Sequence, residues 1–311
     1  PEAWQITLGD PSVPLAIIDT GIDLDHPDLL SKLWINPDEI PANHVDDDHN
    51  GYVDDVYGYD FINEDADPED DHGHGTHVAG TAAAATDNGL GVAGMAPANP
   101  VMTLKVLGSG GEGSYADLIE AMDYALAEGV NFFDTAELYS IPAKAETYGR
   151  TEEIIGNWFE ARKNRDKVIL ASKIAGPGEG WVDHIRDGKT RFTREHIEAA
   201  LNASLQRLKT DYIDLYQLHW PERKTNFFGP LGYFPEVDSY TPMEEILEVL
   251  ATQVKAGKIR YIGLSNETPW GVMRFLSNAE KLDLPSIVSG KNPYNLLNRS
   301  YEVGLAEMSW R

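Results

Sequence analysis

The chain has 311 residues, a net charge of −26 and no cysteine. The lack of cysteine excludes disulfide and thiolate chemistry, and the acidic balance argues against a nucleic-acid partner. No run of about 18 apolar residues is present, so we expect no transmembrane span and no membrane partner. The first residues lack the basic and then apolar pattern of a signal peptide, which predicts a soluble chain without fixing its compartment or oligomeric state.

Charge is distributed unevenly along the chain. Residues 1–120 contain 24 Asp and Glu but only Lys32 and Lys105, a net charge of −22, whereas residues 121–311 have a net charge of −4. A change this sharp predicts two segments of different origin. The acids of the first segment favour cation binding, with a solubilising surface as the alternative.

The first predicted strand covers Val13 to Asp19, an apolar run that ends in an acid and is followed by Thr20-Gly21. Such a run is typical of a buried parallel strand whose carboxyl end presents its last side chain. Open α/β sheets carry their chemistry at that edge, which makes Asp19 a candidate site residue.

Residues 43–73 form an acidic loop interrupted by glycines. Alternate oxygen side chains before a sharp glycine turn can surround a hard cation such as calcium. Half of the EF-hand spacing is present, but Tyr57 stands where the glutamate of the twelfth position would be. A calcium site and a solvated acidic loop therefore both fit this segment. The candidate ligands are Asp46, Asp48, Asn50 and Asp54.

Two blocks of the first segment, IIDTGI at residues 17–22 and HGTHVAG at residues 74–80, resemble the subtilisin-like serine proteases (subtilases). The resemblance covers about residues 1–125 and makes Asp19 the orienting acid, His74 the general base and His77 structural. The acidic loop also resembles the calcium-binding insert of some bacterial subtilases. The family's nucleophile lies in a Gly-Thr-Ser-Met-Ala block, and Gly-Thr-Ser occurs nowhere in these 311 residues. A triad without its hydroxyl cannot act, so we expect no peptidase activity.

The stretch from Ser114 to Tyr139 joins two patterns. Its first part predicts an amphipathic helix over 114–128 that Gly129 ends, and Phe132 to Asp134 then predicts a buried strand. Further strands are predicted near 168–173, 211–221, 257–266 and 286–294, with helices at 151–163, 193–208, 242–256 and 269–280. Strand alternating with helix predicts a parallel sheet with right-handed crossovers.

Four polar residues follow the ends of these strands. In barrels of this kind the chemistry lies at the carboxyl ends of the strands. A tyrosine whose pKa is lowered by a nearby lysine, itself held by an aspartate, can protonate a carbonyl oxygen that a histidine orients. The four residues are Asp134, Tyr139, Lys173 and His219. Each of them alone would more often be structural.

Residues 121–311 resemble the aldo-keto reductases over about six of the eight strand–helix units of that family. The resemblance makes these four residues the reductase tetrad, implies NADPH as the coenzyme, and assigns Ser265 and Asn266 to its carboxamide. Lys291 stands where the family has glutamine. The last two units, which hold the pyrophosphate and the 2′-phosphate, lie outside the resemblance, so we expect NADPH binding to be weak or lost.

These patterns predict an α/β fold with a mainly parallel sheet of about eight strands, subtilase-like strands continued by a partial (β/α)8 barrel. One continuous sheet would place Asp19 and Asp134 on adjacent strands; a closed barrel or two abutting subdomains are the alternatives. The expected segments are 1–125 and 126–311. The leading interpretation is an engineered or recombined chimera without a complete native site. The alternatives are an NADPH-dependent reductase of small carbonyl compounds, favoured over an endopeptidase, and an inactive calcium-binding protease remnant.

Overall fold

A computed structural model describes residues 7–178, 180–228, 232–235, 237–293 and 300–310. The named strands of these residues pair in parallel, which confirms the α/β class and the predicted number of strands. The strands are β1 (Leu15–Asp19), β2 (Gly58–Asp60), β3 (Val101–Lys105), β4 (Phe132–Asp134), β5 (Ile169–Ile174), β6 (Ile213–Leu218), β7 (Ile259–Ser265) and β8 (Ile287–Lys291). The helices are α1 (His74–Ala83), α2 (Tyr115–Ala127), α3 (Arg150–Arg162), α4 (Arg194–Arg207), α5 (Met243–Lys255), α6 (Pro269–Leu282) and α7 (Ser300–Trp310).

The strands form two sheets, with the orders β1-β3-β2 and β4-β5-β6-β7-β8. The prediction of one continuous sheet is therefore wrong, and Asp19 and Asp134 lie in different sheets. β4 has only three residues, and its ladder runs to β5, the next strand along the chain. So short a strand offers few backbone groups for joining a second sheet. Contacts divide the described chain into two compact units, within residues 1–131 and 132–311.

The sheet of the first unit has three parallel strands. β3 lies between β1 and β2, with Asp19 and Asp60 both level with Lys105. Helix α1 lies very close to the end of β1, because a Cβ at Gly75 would come 2.1 Å from the Gly21 carbonyl oxygen. This close approach, which glycine permits, sets His74 beside Asp19.

Helix α2 confirms the predicted helix at 114–128. Ser114 and Asp117 form a capping box at its start, in which each side chain accepts a hydrogen bond from the other residue's backbone N–H. Gly129, at a φ of +90°, follows its last turn, as the sequence predicts. Tyr124 on the buried face donates its hydroxyl hydrogen bond to Asp55 at 2.6 Å.

The second unit alternates strands and helices as predicted, with α3 to α6 following β4 to β7 in turn. Its core contains large buried side chains from the sheet and the helices, among them Trp158, Leu170, Leu201 and Leu247. Helix α7 was not predicted. No helix in the described part of the chain is long and apolar enough to cross a membrane.

Candidate active sites

The carboxyl edge of the second sheet brings a lysine onto an aspartate. Asp134 is the last residue of β4, and its Oδ2 accepts a hydrogen bond of 2.6 Å from Lys173 Nζ on the neighbouring strand β5. The same ammonium donates to the Thr135 carbonyl oxygen at 2.7 Å. Lys173 is 1% exposed, so this pairing fixes a cation inside the protein.

Two further side chains bind the same carboxylate. Lys291 Nζ, at the end of β8, also lies 2.6 Å from Asp134 Oδ2, while Gln217 Nε2 donates to Oδ1 at 3.0 Å. Gln217 was missed in the sequence, although a position two residues before His219 lies on the same face of a strand. Asp134 is thus held by three strands of the sheet.

Burial and neighbouring charges shift the pKa values of Asp134 and Lys173 in opposite directions. Burial raises the pKa of Asp134, but the ammonium groups of Lys173 and Lys291 outweigh it and leave the pKa below its ordinary value. Burial lowers the pKa of Lys173 to about 8, against the attraction of Asp134. The Asp134 carboxylate is therefore charged at neutral pH, and Lys173 is protonated up to about pH 8.

The rings of Tyr139 and His219 contact each other, and the Lys173 ammonium lies near the Tyr139 ring. The two ring centroids are 5.7 Å apart in an edge-to-face arrangement, and Lys173 Nζ lies 5.1 Å from the centre of the Tyr139 ring. Among the described residues, no group forms a hydrogen bond with the Tyr139 hydroxyl. The structure thus brings the four predicted residues together at one edge of the sheet.

The pKa of Tyr139 differs from the prediction. Burial, and then the Asp134 charge, raise it above its ordinary value, where the sequence had predicted a lowered one. Lys173 directs its ammonium to Asp134 and Thr135 rather than to the phenol oxygen, which explains the difference. Burial, together with the Lys173 charge, lowers the pKa of His219 to about 3, so this imidazole is neutral at physiological pH.

Ser265 and Asn266 lie beside the histidine. Asn266 Nδ2 donates to the His219 carbonyl oxygen at 2.8 Å and to Ser265 Oγ at 3.1 Å. Ser265 is the last residue of β7 and pairs in register with Lys291. Their contact with a coenzyme stays a prediction.

The first unit holds the Asp19–His74 pair. His74 Nδ1 lies 2.8 and 2.9 Å from the two carboxylate oxygens of Asp19, which raise the pKa of the imidazole by hydrogen bonding and charge. The His74 side chain is 60% exposed. Within the residues that the structure describes, no serine hydroxyl forms a hydrogen bond with it.

The acidic loop gathers two of its four predicted ligands. Asp46 and Asp48 lie with Glu39 in a group whose ligand oxygens are all within 4.8 Å of one another. The Asn50 amide instead donates to Asp48 and Asp55, and Asp54 accepts from the backbone of Asn43 and His44. Glu39, which precedes the loop, was missed because only the fold brings it there.

Comparison with known families agrees with this division. Residues 103–309 match the model of the Aldo/keto reductase family, about two thirds of the chain. The chain belongs to the aldo/keto reductase family. Residues 10–140 match the Subtilase family, so the predicted combination of the two families is confirmed.

Individual relatives fall into the same two groups. Protein tas of Escherichia coli is 50% identical over 201 residues, which cover 64% of this chain and 58% of that protein. The uncharacterized oxidoreductase YrpG of Bacillus subtilis is 36% identical over 203 residues, 61% of this chain and 55% of that protein. Subtilisin-like protease 1 of Plasmodium berghei is 36% identical over 121 residues, 39% of this chain and 20% of that protein. The chain therefore spans little more than half of its reductase relatives.

Proposed function

We propose that the second unit reduces small aldehydes or ketones with NADPH, and that it is joined to a subtilase-derived unit by recombination or engineering. The observation that carries the proposal is the single group formed by Asp134, Lys173, Tyr139 and His219. A proton donor, a buried cation and a neutral imidazole meet there, and these are the groups that carbonyl reduction needs.

Each side chain has a distinct role in this proposal. The raised pKa of Tyr139 keeps its hydroxyl protonated, as a donor must be, and its proton passes to the carbonyl oxygen. Lys173, fixed by Asp134, stabilises the phenolate that remains. Neutral His219 orients the carbonyl oxygen without adding charge. When bound, NADPH supplies the hydride that the carbonyl carbon receives.

The polar groups present fit a coenzyme and substrate at this edge. The Tyr139 hydroxyl has no hydrogen-bond partner among the described residues, and the buried Nδ1 of His219 also lacks one there. Ser265 and Asn266 would hold the nicotinamide carboxamide through their hydroxyl and amide groups. Binding of the rest of NADPH is expected to be weak or lost, because the two units of the family that hold the pyrophosphate and the 2′-phosphate lie outside the resemblance.

The test is turnover of 4-nitrobenzaldehyde with NADPH, after titration of NADPH binding by fluorescence. Tyr139→Phe removes the proton donor and is expected to lower kcat/KM at least about 100-fold while NADPH still binds. Tyr261→Phe is the matched control, because Tyr261 is 58% exposed on β7. Equal turnover by Tyr139→Phe and the parent chain would refute the proposal, as would the absence of both binding and turnover.

Calcium binding by the first unit is a second candidate function. Glu39 is 6% exposed, and within the described residues its buried Oε2 has no hydrogen-bond partner. Burial, with the nearby acids Asp55 and Asp47, raises the Glu39 pKa to about 7. A divalent cation held by Glu39, Asp46 and Asp48 would relieve this repulsion, and carboxylate oxygens are its preferred ligands.

Calcium binding is tested by melting the protein in calcium and in chelator. We expect a higher melting temperature with calcium, and loss of that increase in Asp48→Asn. Asp67→Asn removes an exposed charge of the same unit and serves as the control. An identical melting temperature in calcium and chelator would eliminate the site.

A further inference from the structure

Lys291 is an additional cation in the reductase group. It ends β8, is 57% exposed, and reaches the same Asp134 oxygen as the buried Lys173, each at 2.6 Å. The register of β8 on β7 sets Lys291 level with Ser265 at the carboxyl edge. A long side chain at the carboxyl end of this strand can therefore reach across to β4.

The two ammonium nitrogens are close because they share one oxygen. With both bonds at 2.6 Å, the nitrogens lie at most about 5 Å apart. At that separation like charges disfavour each other's charged form. Lys291 also takes up part of the negative charge that would otherwise stabilise Lys173 alone.

We propose that Lys291 is a positioning residue that sets the proton affinity of Lys173 through their shared contact with Asp134, and so sets the upper pH limit of carbonyl reduction. This inference rests on the proposed reductase function, in which the charge of Lys173 stabilises the phenolate left by Tyr139.

The other charged or titratable groups near Lys173 leave Lys291 its proposed effect on the Lys173 pKa. Glu152 of α3 contributes a favourable negative charge, but its oxygens are already bound by Arg207 and the Ser172 hydroxyl. His219 is neutral because its pKa is about 3. The pKa of Lys173 therefore depends on burial and on the charges of Asp134 and Lys291. Of these two charged residues, Lys291 is the more exposed.

The test measures the titration of Lys173 itself, by the ¹³Cε chemical shift of lysine-labelled protein. The signal is assigned by its loss in Lys173→Arg. Lys291→Gln is expected to raise the pKa of Lys173 by about one unit, because the like charge is removed and Asp134 is left to Lys173. Lys291→Arg keeps the charge and is expected to keep the pKa. Lys258→Gln removes a lysine that binds Asn202 instead, and should change nothing.

The pH profile of kcat/KM supplies the second readout. Its high-pH decline is expected to move up by about one unit in Lys291→Gln and to stay in place in Lys291→Arg and Lys258→Gln. A Lys173 pKa that stays the same in Lys291→Gln would overturn the assignment, whatever the turnover. A Lys173 pKa that moves in a chain without turnover would support the role of Lys291 and refute the proposed function instead.

Discussion

The two candidate sites of this chain differ in how their charged groups are enclosed. In the second unit Lys173 is buried, and its aspartate partner is held by groups from β5, β6 and β8. In the first unit the His74 side chain is 60% exposed and pairs with Asp19 at the end of β1. A site can keep a precise electrostatic arrangement only when its members are fixed from several sides, since exposed pairs are screened by solvent.

The pKa shifts in the two candidate sites also differ, because one site is buried and the other is exposed. Burial moves the pKa of Lys173 down to about 8 and that of His219 down to about 3, both far from their ordinary values. His74, exposed to solvent, is affected mainly by its hydrogen bond to Asp19. Strongly shifted pKa values in an enclosed group are typical of catalytic sites, which favours the second unit as the reactive one.

The largest expected effect comes from removing the buried cation. Lys173→Met is expected to lower kcat/KM for 4-nitrobenzaldehyde by about 100-fold or more, because the buried ammonium that would stabilise the Tyr139 phenolate is lost. Asp134 keeps Lys291 as a partner, so the fold should survive. Lys258→Met, at a half-buried lysine of the same unit that lies outside the reductase group, is the control. A loss of less than about threefold would show that the buried cation has no part in the reaction.

A smaller effect is expected from pH. In the proposed reaction Lys173 acts in its charged form, and its pKa is about 8, so kcat/KM should be constant near neutrality and fall as pH rises through about 8. No second inflection is expected between pH 5 and 7, as His219 stays neutral with a pKa of about 3. An inflection near pH 6.5 that disappears in His219→Gln would contradict the neutral imidazole.

In the first unit, Glu39→Gln should change the melting temperature in opposite directions with and without calcium. The raised pKa of Glu39 means that the folded state binds its proton more tightly than the unfolded state, so stability is lost as pH rises from about 4.5 to about 7. At pH 8 in chelator, Glu39→Gln is therefore expected to raise the melting temperature by a few degrees. In calcium it should lower it, because a ligand is lost.

This crossover is measured by thermal unfolding of the parent chain and the variant in both buffers. Asp67→Asn again controls for the general loss of one negative charge. A Glu39→Gln variant that melts below the parent chain in both buffers would indicate an ordinary structural carboxyl group rather than a cation ligand.

The smallest effect is expected at the exposed pair. His74→Gln should change the free energy of unfolding by no more than about 1 kcal/mol, the usual range for a solvent-exposed ion pair. It should leave carbonyl reduction unchanged. Labelling by a fluorophosphonate probe, which reports an activated serine, is expected to be absent in the parent chain. A covalent adduct that is lost in His74→Gln would mean that the first unit is a working protease.

Local patterns predicted most of the fold. The alternation of apolar runs and amphipathic segments predicts every strand from β4 to β8 and helices α3 to α6, because the second unit is a repetition of strand–helix pairs. Helix α7 was missed. The sequence allowed two subdomains only as an alternative to one sheet, because the separation into two sheets depends on which strand edges meet rather than on the residues within any strand.

Prediction of the candidate site from the sequence has the same limit, because contacts between distant parts of the chain are not visible in local patterns. The grouping of Asp134, Tyr139, Lys173 and His219 could be predicted, since strand ends of a parallel sheet meet at one edge. The bond from Lys291 to Asp134 spans 157 positions in the chain, and Glu39 joins the acidic loop only through the folded backbone. The direction of the Tyr139 pKa shift was predicted wrongly. The sequence predicts that Lys173 lies near Tyr139, but it does not show which acceptors the Lys173 ammonium binds.

The proposed function requires the second unit to transfer hydride from NADPH to a carbonyl carbon, with Tyr139 as the proton donor. The most direct test incubates the chain with NADPH deuterated at both C4 positions and 4-nitrobenzaldehyde, and then measures deuterium in the alcohol by mass spectrometry. We expect an alcohol with one deuterium on the carbinol carbon, formed by the parent chain and by Tyr261→Phe but at least about 100-fold more slowly by Tyr139→Phe. Deuterated alcohol formed equally by all three chains, or by none of them, would contradict it.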